Sequence, residues 1–449
     1  MYRFFVACLL LPAAAAAQAP LDGYVTEALQ SNLVLQERQV GLERSLLALR
    51  EARTYFLPSV ALDGQYTLAS GGRRIDLPVG DLMNPVYSTL NQLTGSNKFP
   101  QISNVSEQFL PNNFYDVKVR TTLPLVNPDI RTGQQIRSEQ VRLQQFEIDT
   151  YRRELVKEVK TAYYRLLQAE QAVAIYRNAV ELVQQNLKVQ QSLLRNGKGL
   201  PAYVSRAESE LKNVETELRN AEAEVLNAQA YINFLRNKPL TEPVQRTEPS
   251  LPPERTAQGA LLPDVSKREE LKSLTVAQAI NQRQMQLARS FRTPRLNAFM
   301  DLGAQAFDFK VNRNAPYYLA GLQVQLPLFS GGRNRMKVQQ AELDGRSLDI
   351  RTEQVRQQLQ LAAYVGQNQL QASWHTYQAA LKSEESAKQY FRLIERGYTE
   401  GVNSFIEFLD ARNQLTNARL AANIRKYNLL IAAAAQERNE AGYALPESG

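Results

Sequence analysis

His375 is the only histidine in the 449 residues, and it stands beside the only tryptophan, Trp374, in a stretch with helical spacing. A lone histidine there is far more often a packed or solvent-facing helix residue than a ligand, and nothing around it makes a nucleophile–base pair. There is no metal-ligand cluster, no glycine-rich phosphate loop and no acid pair in a distinct pocket. No catalytic, cofactor-binding or metal-binding residue is therefore assigned, and an enzyme is the least supported class. The acids worth singling out are Glu407 and Asp410, which at i and i+3 share one helix face. Ser404-Phe405-Ile406-Glu407 is a capping-box pattern and by itself accounts for Glu407. Asp410 has no such local role, although an early-turn acid suits the helix dipole. Close by, Tyr398 reads as a packing residue at a turn, and Gly199 and Gly401 read as turn formers at helix-turn tips.

The elements that carry these residues belong to a secreted chain. Arg3, the apolar run Phe4 to Leu11, and the string Ala13 to Ala17 read as a signal peptide over residues 1–19, too short to anchor in a bilayer. The only cysteine, Cys8, would leave with it, so the mature chain has neither disulfide nor thiolate chemistry. A lipoprotein site at Cys8 has too little apolar sequence before it. No later run of 18 apolar residues offers a transmembrane helix. The remaining options are a periplasmic protein, an extracellular one or a β-barrel. The formal net charge of +8 could suggest nucleic acid, but the basic residues alternate with Glu and Gln along helices, as on solvated helix faces, so no nucleic-acid partner is expected.

The sequence is written twice. Leu123-Pro124-Leu125 recurs as Leu326-Pro327-Leu328, and the glycine-rich break ending at Gly199 recurs at Gly401, two landmarks at nearly one offset. Each copy reads helix, strand, strand, very long helix, turn, shorter helix. The first repeat, 20–240, has a helix over 21–56, strands about 58–69 and 113–126, a long helix about 131–196 and a helix about 202–237. The second, 264–443, has a helix near 265–292, strands about 294–311 and 316–328, a long helix about 333–398 and a helix about 404–441. A proline-rich linker, 241–263, joins them and a tail, 444–449, follows. Each long helix runs 66 residues without proline, roughly 100 Å at the usual rise, which implies a coiled-coil-like assembly instead of a globular core. The short helices of each copy sum to nearly one long helix, so stacked end to end they would run beside it as a tube wall.

The strands alternate. Val117, Val119 and Thr121 are set against Lys118, Arg120 and Thr122, and Tyr318, Ala320 and Leu322 against Tyr317, Leu319 and Gly321. A half-buried sheet of a soluble protein has the same pattern as a barrel strand with one face to lipid. Secretion and the long helices favour the barrel. Four strands cannot close one, since the smallest have about eight, so several chains must each contribute four, and three would give twelve. The connection Ser70 to Asn113, with four prolines and six asparagines, reads as a long loop outside the cell.

Duplication, paired hairpins, paired long helices and a signal together resemble the TolC family of outer-membrane efflux proteins over essentially the whole mature chain. The most specific stretch is Gly397-Tyr398-Thr399-Glu400-Gly401-Val402-Asn403 leading to Leu409-Asp410-Ala411, and the junctions Leu57-Pro58-Ser59-Val60 and Thr293-Pro294-Arg295-Leu296 also match. The resemblance implies an α+β membrane protein. Its trimeric 12-stranded β-barrel, four strands per chain, would continue into a long antiparallel α-helical periplasmic barrel. It also implies an outer-membrane location and the exit duct of a tripartite efflux pump or type I secretion system. The expected partners are a periplasmic adaptor protein and an inner-membrane transporter. Carried over by residue, Tyr398 matches a tyrosine of the network that closes the periplasmic entrance, and Glu407 and Asp410 match acids ringing the constriction. Asn403 stands where some members have an arginine, and Ser205 where an acidic partner can occur, so the latch is not carried over in detail. The rival readings are a periplasmic adaptor, which has a single helical hairpin flanked by a barrel-like domain, and a structural coiled-coil stalk.

Overall fold

The computed structural model describes residues 20–254 and 263–446; the signal segment 1–19, part of the linker and the last three residues lie outside it. The described residues form two compact units, one from residues 20–47, 138–254, 263–281 and 343–446, the other from 48–137 and 282–342.

The second unit is built on a four-stranded antiparallel sheet. β1 (Ser59–Thr67), β4 (Phe114–Val126), β5 (Arg295–Phe307) and β6 (Pro316–Gln325) lie in the order β1-β4-β5-β6, so β1 and β6 are its two edges. The register aligns the alternation across all four strands. One row reads Leu62, Val119, Leu302, Tyr318, and every member is exposed. The neighbouring row on the opposite face reads Asp63, Lys118, Gly303, Tyr317. On that polar face Arg120 donates twice to Asp301, at 2.8 and 2.6 Å, and Asp116 accepts from Lys118 and Tyr317. The repeated Leu-Pro-Leu is treated differently in the two copies. Leu123-Pro124-Leu125 lies inside β4, past the point where β1 pairs, so Pro124 there has a strand on one side only. Leu326-Pro327-Leu328 falls beyond β6.

The connection from 70 to 113 is not a loop throughout. It holds β2 (Arg74–Leu77) paired with β3 (Val105–Gln108), and between them the sixteen-residue helix α3 (Val79–Thr94). Its prolines and asparagines read as loop residues in sequence, but Pro78 only precedes the helix, and Asn84 and Asn91 hold it in place, as described below.

The first unit is helical. α1 (Pro20–Ser31), α4 (Pro128–Arg195), α5 (Pro201–Leu235) and α8 (Phe405–Asn439) share a buried core that includes Val25, Leu155, Val159, Leu166, Ile232 and Leu430. In α4 the fully buried Leu155, Val159, Ala162, Tyr163 and Leu166 keep helical spacing. The helix expected over 21–56 is broken at Asn32 into α1 and α2 (Leu33–Thr54). The break has a polar cause: Asn32 Oδ1 accepts from Leu35 N, as an N-cap does, while Nδ2 donates to Leu235 O at the end of α5. α6 (Glu269–Arg289) and α7 (Arg333–Thr399) complete the set; α2, α4, α6 and α7 each contribute residues to both units.

Duplication extends to ion pairs. Arg236, just past α5, pairs with Glu27 of α1, and Arg438, 202 residues later near the end of α8, pairs with Glu270 at the start of α6. Among the described residues no helix is long and apolar enough to cross a membrane.

Candidate helix-turn site

Two turns carry the residues singled out from the sequence: the α4–α5 turn, 196–200, and the α7–α8 turn, 400–404. Both helices end in the same hydrogen-bond pattern. Val402 N donates to Gly397 O at 2.7 Å and Gly401 N to Tyr398 O, with Gly401 left-handed at φ 78°. At the other turn Lys198 N donates to Leu193 O and Gly197 N to Leu194 O, with Gly197 left-handed at φ 69°. Each is a Schellman closure, which puts a left-handed residue just past the helix. The partner of Gly401 in this role is thus Gly197, not Gly199. Gly199 lies in the same turn for another reason: a Cβ on it would come within 2.6 Å of Leu194 N.

Ser404 starts α8 with a complete capping box. Glu407 N donates to Ser404 Oγ, and Ser404 N donates back to Glu407 Oε2 at 2.6 Å. The Ser404 backbone N–H, and after it the Ser404 and Asn403 side chains, hold the Glu407 carboxyl below its ordinary range. Asp410 is exposed beside it and accepts from Gln414 Nε2 at 3.1 Å. Both acids therefore look outward from α8, while Phe405, Phe408, Leu409 and Arg412 look inward.

Tyr398 is half-buried, its ring stacked on Phe408 with centroids 4.9 Å apart, and its hydroxyl accepts from Gln190 Nε2 at 2.5 Å. Burial raises its pKa above the ordinary 10, and hydrogen bonding to Asn186 and Gln190 works the other way. Its partners come from α4 and α8 of the same chain. Asn403 does not bond to it: the Asn403 side chain lies over Gly397, where a Cβ would be 1.9 Å from its Oδ1. Ser205 is exposed on α5.

Sequence reasoning missed the most buried polar pair of the region. Arg412 of α8 donates to Glu210 of α5 at 2.5 Å, with the arginine side chain 2% exposed and the glutamate 11%. Burial pulls the Arg412 pKa down and the Glu210 carboxylate offsets part of that. Residues 210 and 412 are 202 apart, as are Tyr203 and Phe405, whose rings meet at 5.3 Å, so matching positions of the two repeats touch each other. The signal was legible: Arg412 interrupts the stripe Phe405, Phe408, Leu415, and Asn186 and Gln190 continue the buried α4 stripe of Ala179 and Val183. Charged or amide groups in a buried stripe need partners, and here Arg412 finds one in Glu210 and Gln190 finds one in Tyr398.

Comparison with known proteins agrees with this architecture. The sequence profile of the outer membrane efflux protein family matches residues 24–237 and 265–437. Over 129 residues the chain is 26% identical to outer membrane protein TolC of Escherichia coli K12; this covers 29% of the chain and only 25% of TolC, a quarter of that relative's length. The outer-membrane channel OprN superposes with a TM-score of 0.74 at 16% identity, covering 94% of this chain and 90% of OprN. VceC of Vibrio cholerae superposes with a TM-score of 0.72 at 16% identity, covering 94% and 95%.

Proposed function

As this chain belongs to the outer membrane efflux protein family, and so to the outer membrane with a periplasmic extension, we propose that three copies close one twelve-stranded barrel as an exit duct for small molecules or proteins. The observation that carries this reading is the sheet of the second unit, with an exposed apolar row on one face, an ion-paired row on the other, and free edges at β1 and β6. Backbone groups on an open edge find no partner in lipid, so the edges must be paired, and β6 of one copy meeting β1 of the next does so. About eight strands is the smallest closed barrel; four per copy reach twelve with three. The duct then serves a tripartite efflux pump or a type I secretion system, through a periplasmic adaptor and an inner-membrane transporter.

In this reading the helix turns form the periplasmic entrance. Tyr398 acts as a latch on Gln190, taking the place of the arginine-based wiring that Asn403 cannot supply. Glu407 and Asp410, repeated by symmetry, ring the pore with carboxylates, which favours cations. Glu407 serves the cap as well, and the two roles are compatible because its carboxylate remains exposed and charged.

Planar-bilayer recordings of the purified protein test this. The expected result is a conducting channel that prefers cations, with the preference reduced in the Glu407→Ala, Asp410→Ala double variant. No conductance from correctly inserted protein would end the duct reading. Unchanged selectivity would remove both acids from the ring and leave Glu407 with its cap.

A further inference from the structure

α3 is an amphipathic helix turned inside out. Its polar side faces its own unit. Asn84 holds the Ile102 peptide at both ends, donating to its carbonyl at 2.9 Å and accepting from its N–H at 2.8 Å. One heptad on, Asn91 holds the Phe99 peptide in the same way, at 2.8 and 3.1 Å. Asp81 accepts from Asn104, and a Cβ on Gly80 would sit 2.5 Å from Ile102 O, so this side of the helix is pressed against the returning chain. The apolar side has no partner: Leu82 is 69% exposed, Val86 49% and Leu93 79%. Helices ordinarily bury that side, and an exposed apolar face of this kind marks an interaction surface.

The spacing of the free side identifies what covers it. Val79, Val86 and Leu93 recur every seven residues, and Leu82 and Thr89 follow the first two at an interval of three. These are the a and d positions of two heptads, with Val79, Val86 and Leu93 at a and Leu82 and Thr89 at d, while the number of copies is set by the sheets. In that assignment Asn84 and Asn91 fall at f, directly opposite the seam, so their clamps aim the seam away from the unit. The flanking e and g positions, Met83, Leu90, Pro85 and Gln92, carry no charge to repel an identical helix. A helix that lies on a membrane surface is rich in Lys and Arg on its polar face; the only charge in α3 is Asp81, and its polar face is already occupied.

We infer that the α3 helices of three copies pack on one another through this seam, forming a cap on the symmetry axis at the extracellular end of the duct. This rests on the three-copy reading above. Two heptads are too short to associate alone in water, but chains already joined at their sheets present the helices at high effective concentration. A like-to-like contact in a threefold assembly must surround the axis. The excursion springs from the ends of β1 and β4 opposite those that adjoin α2 and α4, so the cap lies across the exit.

Single cysteines test the contact, because the only native one, Cys8, lies in the signal segment. Leu82→Cys and Leu93→Cys, with Ser88→Cys on the clamped side as control, are oxidised in outer-membrane fractions and run without reductant. The expected result is a shift of chains to a two-chain band for Leu82→Cys and Leu93→Cys but not for Ser88→Cys. One disulfide forms per assembly, so a single-chain band persists beside it. Absence of the two-chain band from an intact three-chain particle would overturn the α3 contact alone, as would equal cross-linking of Ser88→Cys. Quenching of a probe on Leu93→Cys by nitroxide lipid would assign the face to the membrane and also overturn it. A native protein that is not a three-chain particle would instead overturn the reading beneath it.

Discussion

Arg412 occupies a place in the stripe of α8 where an apolar side chain would pack, and its charge is tolerated because Glu210 lies against it. Arg412→Ala leaves a buried carboxylate without its partner, a change that typically costs about 3–5 kcal/mol. Thermal unfolding should show that loss for the single variant and recover most of it for Arg412→Met with Glu210→Leu, since apolar replacement of a buried pair is often near neutral. An additive loss in the double variant would show that the pair is not the coupled unit described. Glu407 makes a different prediction. Its folded pKa lies below the ordinary 4.5, so its contribution to the start of α8 is fully present above that value and is lost as pH falls through the depressed folded pKa. Amide exchange at Glu407 and Phe408 should be flat from neutral pH to about 4.5 once intrinsic rates are corrected, then rise below it; in Glu407→Gln the rise should vanish. Both acids and Tyr398 could be singled out from sequence because they sit at a turn with recognisable chemistry. Gln190, Asn186, Glu210 and Arg412 could not be paired in advance, because partners 202 or 208 residues apart are joined only by the packing of separate helices.

Among the elements, the long helices and alternating strands were legible because each has a period and the long helices close on glycine turns. The break at Asn32 was hidden, since it depends on a backbone carbonyl of α5. So was α3, whose asparagines look like turn residues until their two peptide clamps are seen. The two turns also separate glycines by mechanism. Gly401 is left-handed with open space around it, so Gly401→Ala meets only backbone strain, roughly 1–2 kcal/mol, and Gly401→Asn should recover part because Asn tolerates that conformation. At Gly199 any side chain meets the backbone of Leu194, so Ala and Asn should be equally disruptive. Unfolding midpoints of the four variants check this, and rescue of Gly199 by Asn would contradict the account of that turn.

For the molecule as a whole, repetition is the organising fact. Two copies of one helix–strand–strand–helix unit supply four strands to one sheet, and the matching Arg236 and Arg438 pairs fix corresponding helices in each. What one chain does not supply is a partner for the edges β1 and β6, and that gap is the reason for expecting an assembly. The most direct test is the detergent-corrected mass of the mature protein extracted from outer membranes. A particle of three chains is the predicted result. A single chain, stable and inserted, would leave the sheet edges unpaired in lipid and would contradict the shared barrel.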